Sequence, residues 1–252
     1  MLVAGGLRLA TRYVFLTRYN PASQRDDNTL NVRRIRALLR AAGAMGGAFF
    51  LLALLVLKWT GLAALDVRVN ASFEPFRSPW LLDFFLLVTS LGTVVFSGLA
   101  VACVSTLFVW AGRIRMLIPL WIAFVGAELT TWVAKYAVNR ARPQFLDGIA
   151  ELNPSFPSGH ATASTVVLGF IGYLLASTLT TRSLRVEAAF WSVASVAAVC
   201  LSRLFLSLHF LSDVLAGVLV GGLWLLLGIS LSEWLKSNPR LLTRYGLMKG
   251  RA

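Results

Sequence analysis

Residues 116–143, MLIPLWIAFVGAELTTWVAKYAVNRARP, decide the fold. Crossing a bilayer core about 30 Å thick takes about 20 helical residues, because no backbone polar group stays unpaired in lipid. The run from Met116 to Ala137 is long enough, and its only charges are Glu128 and Lys135. Five more stretches of this kind lie near 42–64, 88–111, 160–180, 186–204 and 213–235. The 252 residues are 57% hydrophobic and only 14% charged, with a mean hydropathy of +0.72, too apolar for a soluble domain. The expected fold class is all-α: an integral membrane six-transmembrane-helix bundle with interfacial helices beside it.

Two segments read as such interfacial helices. Ser78 to Leu87 carries Asp83 and reads as interfacial or re-entrant. Asn31 to Arg40 sets Val32, Ile35, Leu38 and Leu39 against Arg33, Arg34, Arg36 and Arg40, the pattern of a helix lying on the membrane surface. A disordered basic arm is the other reading, given Pro21 and the Asp26-Asp27-Asn28 run before it. Arg8, Arg12 and Arg18 interrupt the early apolar residues, so the first long span is expected to target the chain.

The net charge of +13 does not point to nucleic acid, because the cations punctuate apolar stretches instead of forming one patch with interleaved aromatics. They report topology. Six spans put both termini on one side. The termini and the loops at Arg113, Arg115, Arg182 and Arg185 then hold 17 of the 24 Lys and Arg. The other 7 are Lys58, Arg68, Arg77, Lys135, Arg140, Arg142 and Arg203. Both termini are therefore expected in the cytoplasm of a multi-pass cell (inner) membrane protein. Residues 1–40 read as a cytoplasmic basic segment, 41–236 as the six-span domain and 237–252 as a cytoplasmic basic tail. Trp59 and Trp80 fit one interfacial belt, Trp110 and Trp234 the other. Gly217 and Gly221 read as a helix-packing pair. Cys103 and Cys200 lie in apolar stretches and read as small core residues.

Packing does not explain a group of residues at the predicted outer ends of the spans. Lys135 and Arg142, seven residues apart, fall on one helix face that Pro143 ends. Pro157-Ser158-Gly159-His160 opens the fourth span, where Ser158 caps and backbone amides face outward. Ser202-Arg203, then His209, then Asp213 join the fifth and sixth spans. Ser202 and Arg203 lie about 120° around a helix from His209, so a break is expected between Arg203 and Ser212. Singly these are a snorkelling cation, an interhelical histidine and an ordinary helix start. Together, three cations, a helix N-terminus and two imidazoles suit a tetrahedral polyanion with nucleophile and acid supplied.

These motifs, Lys135 with Arg142-Pro143, Pro157-Ser158-Gly159-His160, and Ser202-Arg203 with His209 and Asp213, resemble those of the type 2 phosphatidic acid phosphatase family at every specified position. That family shares its fold core with the vanadium haloperoxidases. The motif region covers roughly residues 128–213, and residues 1–40 lie outside the likeness. The resemblance implies a membrane lipid phosphatase in which His209 attacks phosphorus to form a phosphohistidine. Asp213 would hold the other ring nitrogen, His160 would serve as acid and then base, and Lys135, Arg142, Arg203, Ser158 and the Gly159 amide would hold the non-bridging oxygens. Chemistry agrees, since an Asp four residues on shares a helix face with the histidine and fixes its tautomer.

No cofactor or metal is expected, because both histidines are committed and Asp147 and Glu151 show no ligand spacing. Glu128, on the stripe of Lys135, is expected to pair with it or to gate substrate. The partners are the phospholipid bilayer and a lipid phosphate reached from the outer leaflet, with the site facing periplasm or exterior. Undecaprenyl pyrophosphate is the favoured substrate. Phosphatidylglycerol phosphate, phosphatidic acid and lipid A phosphate also fit, by hydrolysis or phosphotransfer, with the loop from Gln144 to Phe156 deciding among them. A lipid transporter is the reading from another class, but transport needs no His209–Asp213 pair.

Overall fold

The computed structural model describes residues 21–143 and 153–238, and the described residues are helical apart from turns and connections. Eight α-helices follow one another: α1 (Pro21–Lys58), α2 (Thr60–Ser72), α3 (Pro79–Ser90), α4 (Val94–Trp110), α5 (Leu117–Val138), α6 (Gly159–Thr178), α7 (Arg182–Phe205) and α8 (Leu211–Ser237). Five of them are long and apolar enough to cross a membrane, and α3 with α4, bent by 41° at their junction, are a sixth span if the pair crosses as one, or a re-entrant loop. Large apolar side chains such as Val95, Leu99, Trp132, Val133, Phe190 and Val193 are exposed on the outside of the bundle, a surface that only lipid would cover. Trp59, Trp80, Trp110 and Trp234 are exposed as well.

Two helical boundaries differ from the sequence expectation. The first apolar stretch is not one span over 42–64: α1 ends at Lys58, and Trp59, in extended backbone, separates it from α2. Asn31 to Arg40 is not a separate surface helix either. It is an uninterrupted part of α1, whose 38 residues extend about 57 Å and so outrun the hydrocarbon core. The second stretch, 88–111, is broken at Leu91–Thr93, where Thr93 caps α4 by accepting a hydrogen bond from Phe96 N at 3.1 Å.

α8 is the axis of the bundle, and glycines let its neighbours approach. A Cβ at Gly222 would meet the Met45 sulfur on α1, one at Gly228 the Ala123 Cβ on α5, and one at Gly221 the Thr162 carbonyl on α6. Gly126 on α5 receives the Trp224 ring, whose Nε1 donates to Thr130 Oγ1 at 2.9 Å. Gly217 matters most for the site. A Cβ there would lie 2.5 Å from the Ser158 carbonyl oxygen, so only glycine lets the start of α6 seat against the first turns of α8. The Gly217 and Gly221 pair is thus helix packing, as its spacing suggests.

Candidate active site

The site forms where three helix ends meet. α5 stops because Asn139 takes a left-handed conformation (φ 47°, ψ 45°) and its N–H closes on the Lys135 carbonyl, a role asparagine fills with little strain. Lys135 and Arg142 are therefore not brought together by one helix face. The turn at Asn139 folds Arg140–Pro143 back over the helix end, and both cations reach the carbonyl of Pro154, Lys135 Nζ at 2.5 Å and Arg142 Nη2 at 3.5 Å.

α7 stops in a Schellman motif. Leu208 N bonds Arg203 O at 3.1 Å, Ser207 N bonds Leu204 O at 3.0 Å, and Ser207 sits at φ 47°. The expected break before Ser212 is thus present, at Leu206–Phe210. It also changes how His209 meets Asp213. They do not share a helix: His209 precedes α8, and Asp213 lies in its first turn, accepting the Phe210 N–H at 2.9 Å.

His209 is 1% exposed. Its Nε2 lies 3.2 Å from Arg142 Nη1. A guanidinium only donates, so Nε2 carries the lone pair and the proton sits on Nδ1. Nδ1 faces Asp213 Oδ2 at 3.7 Å, beyond hydrogen-bond reach, and the buried Ser155 hydroxyl fills the gap. Ser155 Oγ is 3.4 Å from Nδ1 and donates to Asp213 Oδ2 at 2.5 Å. Burial pushes the His209 pKa down to about 4, with Asp213 pulling it up and the Arg203 and Arg142 charges adding to the fall. The ring is therefore neutral near pH 7, with its unprotonated Nε2 accepting from Arg142.

Of the remaining expected residues, Arg203 and Ser158 are tied to this centre. Arg203 is buried, and its Nη1 donates to Thr89 Oγ1 at 3.0 Å at the end of α3. Ser158 is fully buried, its N–H donates to the Asp213 carbonyl at 2.9 Å, and its hydroxyl caps Ala161 N at 3.4 Å. Gly159 and His160 open α6, and His160 packs beside Gly92 in the α3–α4 junction. Glu128 Oε1 is buried without a hydrogen-bond partner among the described residues. Asp147, Glu151 and most of the Gln144–Phe156 loop fall outside the described residues.

Sequence reasoning missed the residues that hold the centre from behind. Arg140 Nη1 donates to Asp213 Oδ1 and to Ser212 Oγ, both at 2.7 Å, and Nη2 donates to Asp66 Oδ2 at 2.8 Å. Its guanidinium carbon lies 4.4 Å from the centre of the Phe210 ring. Arg77, after α2, donates to Phe205 O at 2.8 Å and to Ser207 Oγ at 2.6 Å, clamping the Schellman turn. Asn70 Nδ2 donates to His209 O at 3.4 Å. The one available signal was that Asp66, Arg68, Asn70 and Arg77 are polar for a segment flanking a membrane span.

The chain is similar to known membrane phosphatases. The family model described as PAP2 superfamily matches residues 116–237, from α5 through α8. Phosphatidylglycerophosphatase B of Bacillus subtilis (strain 168) is 29% identical over 180 residues, covering 69% of this chain and 86% of that protein. Among solved structures, a transmembrane PAP2 type phosphatidylglycerolphosphate phosphatase from Bacillus subtilis superposes with a TM-score of 0.68 at 24% identity, covering 77% of this chain and 96% of that one. LpxE of Aquifex aeolicus aligns with a TM-score of 0.47 at 22% identity, covering 67% and 95%. Over residues 116–237 the chain matches the PAP2 superfamily, in keeping with a multi-pass membrane hydrolase acting on lipid phosphates.

Proposed function

We propose that this lipid phosphatase works through a phosphohistidine on His209, without a metal ion, at the outer face of the membrane. The observation that carries the reading is the neutral, buried His209, with Nε2 at 3.2 Å from Arg142 and Nδ1 turned toward Ser155 and Asp213. A phosphate entering beside Arg142 would draw the guanidinium to its own oxygens and so release the Nε2 lone pair for attack. The N–P bond forms as the ester P–O bond breaks, and the leaving oxygen takes a proton from His160. His160 then takes a proton from water, whose oxygen attacks phosphorus and releases inorganic phosphate and His209. Lys135, Arg142 and Arg203, with the Gly159 amide at the α6 N-terminus, offset the charge that gathers on the non-bridging oxygens. Ser158 caps that helix start with its hydroxyl oxygen and adds its own O–H to the donors facing those oxygens. In support of a metal-free reaction, Lys135 and Arg142 converge on the Pro154 carbonyl and Arg142 reaches His209, a gathering of positive charge that can do for a phosphoryl group what a metal ion does elsewhere.

The cation distribution along the sequence supports cytoplasmic termini and a site open to the exterior or periplasm. For the substrate, the relative named phosphatidylglycerophosphatase B puts phosphatidylglycerol phosphate first, ahead of the polyprenyl pyrophosphate that the sequence alone favoured. Phosphate release by the purified chain, measured over phosphatidylglycerol phosphate, phosphatidic acid and undecaprenyl pyrophosphate with His209→Ala alongside, tests the proposal. The expected order puts phosphatidylglycerol phosphate first, with no release by the variant. Release by His209→Ala would refute the mechanism, and a preference for the pyrophosphate would refute the substrate.

A further inference from the structure

Asp66 lies on α2, well before the 116–237 segment that the family model matches. It is completely buried at the back of the site. Its Oδ1 accepts the Ser212 N–H at 3.0 Å, and its Oδ2 accepts both the Ser212 hydroxyl at 2.5 Å and Arg140 Nη2 at 2.8 Å. Arg140 spends its other terminal nitrogen on Asp213 Oδ1 and Ser212 Oγ. This arginine therefore differs in kind from Arg142, which faces the His209 nucleophilic nitrogen. Arg140 faces away from the reacting atoms, between two carboxylates.

We propose that Asp66 and Arg140 are positioning residues: Arg140 fixes the Asp213 carboxylate behind His209, and Asp66 compensates the arginine so that the group stays negative toward the imidazole. The charges explain why both are needed. Arg140 against Asp213 alone sums to zero, and His209 would then gain a positive charge on phosphorylation with Arg142 and Arg203 near and no net anion behind it. With Asp66 the group carries one net negative charge, in a buried setting where such interactions are strong. Asp66 also fixes the first turn of α8 through Ser212, the residue next to Asp213. Because Asp66 has no exposed surface and its oxygens are occupied by Ser212 and Arg140, its effect on turnover must pass through these partners and not through substrate.

This inference rests on the phosphohistidine reading above, and steady-state kinetics of the purified full chain on phosphatidylglycerol phosphate separates the two. Asp66→Asn keeps an acceptor for Ser212 and removes the charge. It should lower kcat roughly 10- to 100-fold, the size found when carboxylates behind metal-binding histidines are removed, with KM within about twofold. Arg140→Gln should do the same, and Asp66→Asn combined with Arg140→Gln should be no slower than Arg140→Gln alone, since Asp66 acts through the arginine. An unchanged kcat in Asp66→Asn, a loss confined to KM, or multiplied losses in the double variant would each overturn the inference. If Asp66→Asn does not purify folded, Arg140→Lys decides. It keeps the charge between the carboxylates and should recover part of the kcat lost in Arg140→Gln, and no recovery counts against the proposal. The phosphohistidine reading fails on a different result, a phosphoenzyme formed by His209→Ala.

Discussion

At the level of single residues, the proposed mechanism requires a neutral His209. Burial lowers its pKa from the usual value near 6.5 to about 4. Protonation therefore favours the unfolded chain: the stabilisation is complete above about pH 6.5 and is lost as pH falls toward 4. Thermal unfolding followed at pH 7 and pH 4.5 should show a larger acid-induced fall for the native chain than for His209→Gln, and equal falls would show that the imidazole is not buried neutral. Ser207 offers a second test. It occupies a left-handed position that glycine adopts without strain, yet its hydroxyl receives Arg77 at 2.6 Å. Ser207→Gly should stay folded and lose only part of its turnover, whereas Ser207→Val should lose most of it, as measured by phosphate release. The residues that the structure gathers at His209, namely Arg142, Ser158, Arg203 and Asp213, were legible as candidates in the sequence because each sits near another within a short motif. Asp66, Arg140 and Ser155 were not, because what defines them is contact across 74, 73 and 58 positions in the chain, and nothing in their local sequence announces it.

Among the helices, function depends on how three ends are stopped. The break after α7 was readable, since Arg203 and His209 cannot face one way on a continuous helix. The turn at Asn139 was also written in the sequence, as an asparagine after the last apolar turn. Taking Lys135 to Arg142 as helical spacing hid it. The division of the first apolar stretch at Trp59 was not readable, because Gly61–Leu65 is as apolar as the span before it and α2 is drawn away by the buried contacts of Asp66 and Asn70. Glycines on α8 supply the test at this level. Gly217→Ala places a Cβ 2.5 Å from the Ser158 carbonyl, whereas Gly222→Ala meets only the flexible end of Met45. The first should cost roughly 1–3 kcal/mol of stability, by the general cost of overpacking, and most of the activity, because it displaces the α6 start with His160. The second should be near neutral. Unfolding midpoints and phosphate release of the two variants check the contrast, and equal effects would mean that the α6–α8 contact does not set the site.

For the whole molecule, the polar site lies at one end of the apolar helices, and the cation distribution is the support for our proposal that this end faces outward. In a chain with Cys103 and Cys200 replaced, a cysteine at Gly148 should react with an impermeant thiol reagent in intact cells, and labelling only after lysis would invert the topology. The all-helical bundle was legible throughout from composition and spacing, since lipid leaves a chain few alternatives. The substrate was not, because the charged centre recognises phosphate and the rest of the lipid meets surfaces with no local signature. The most direct test of the mechanism is to trap the phosphoenzyme. Purified protein in EDTA is mixed with phosphate-labelled phosphatidylglycerol phosphate, quenched in alkali, and the labelled peptide sequenced. An acid-labile, alkali-stable phosphate on His209, absent from His209→Ala, is the predicted result; label on another residue, label persisting in the variant, or no label unless Mg²⁺ is added would contradict it.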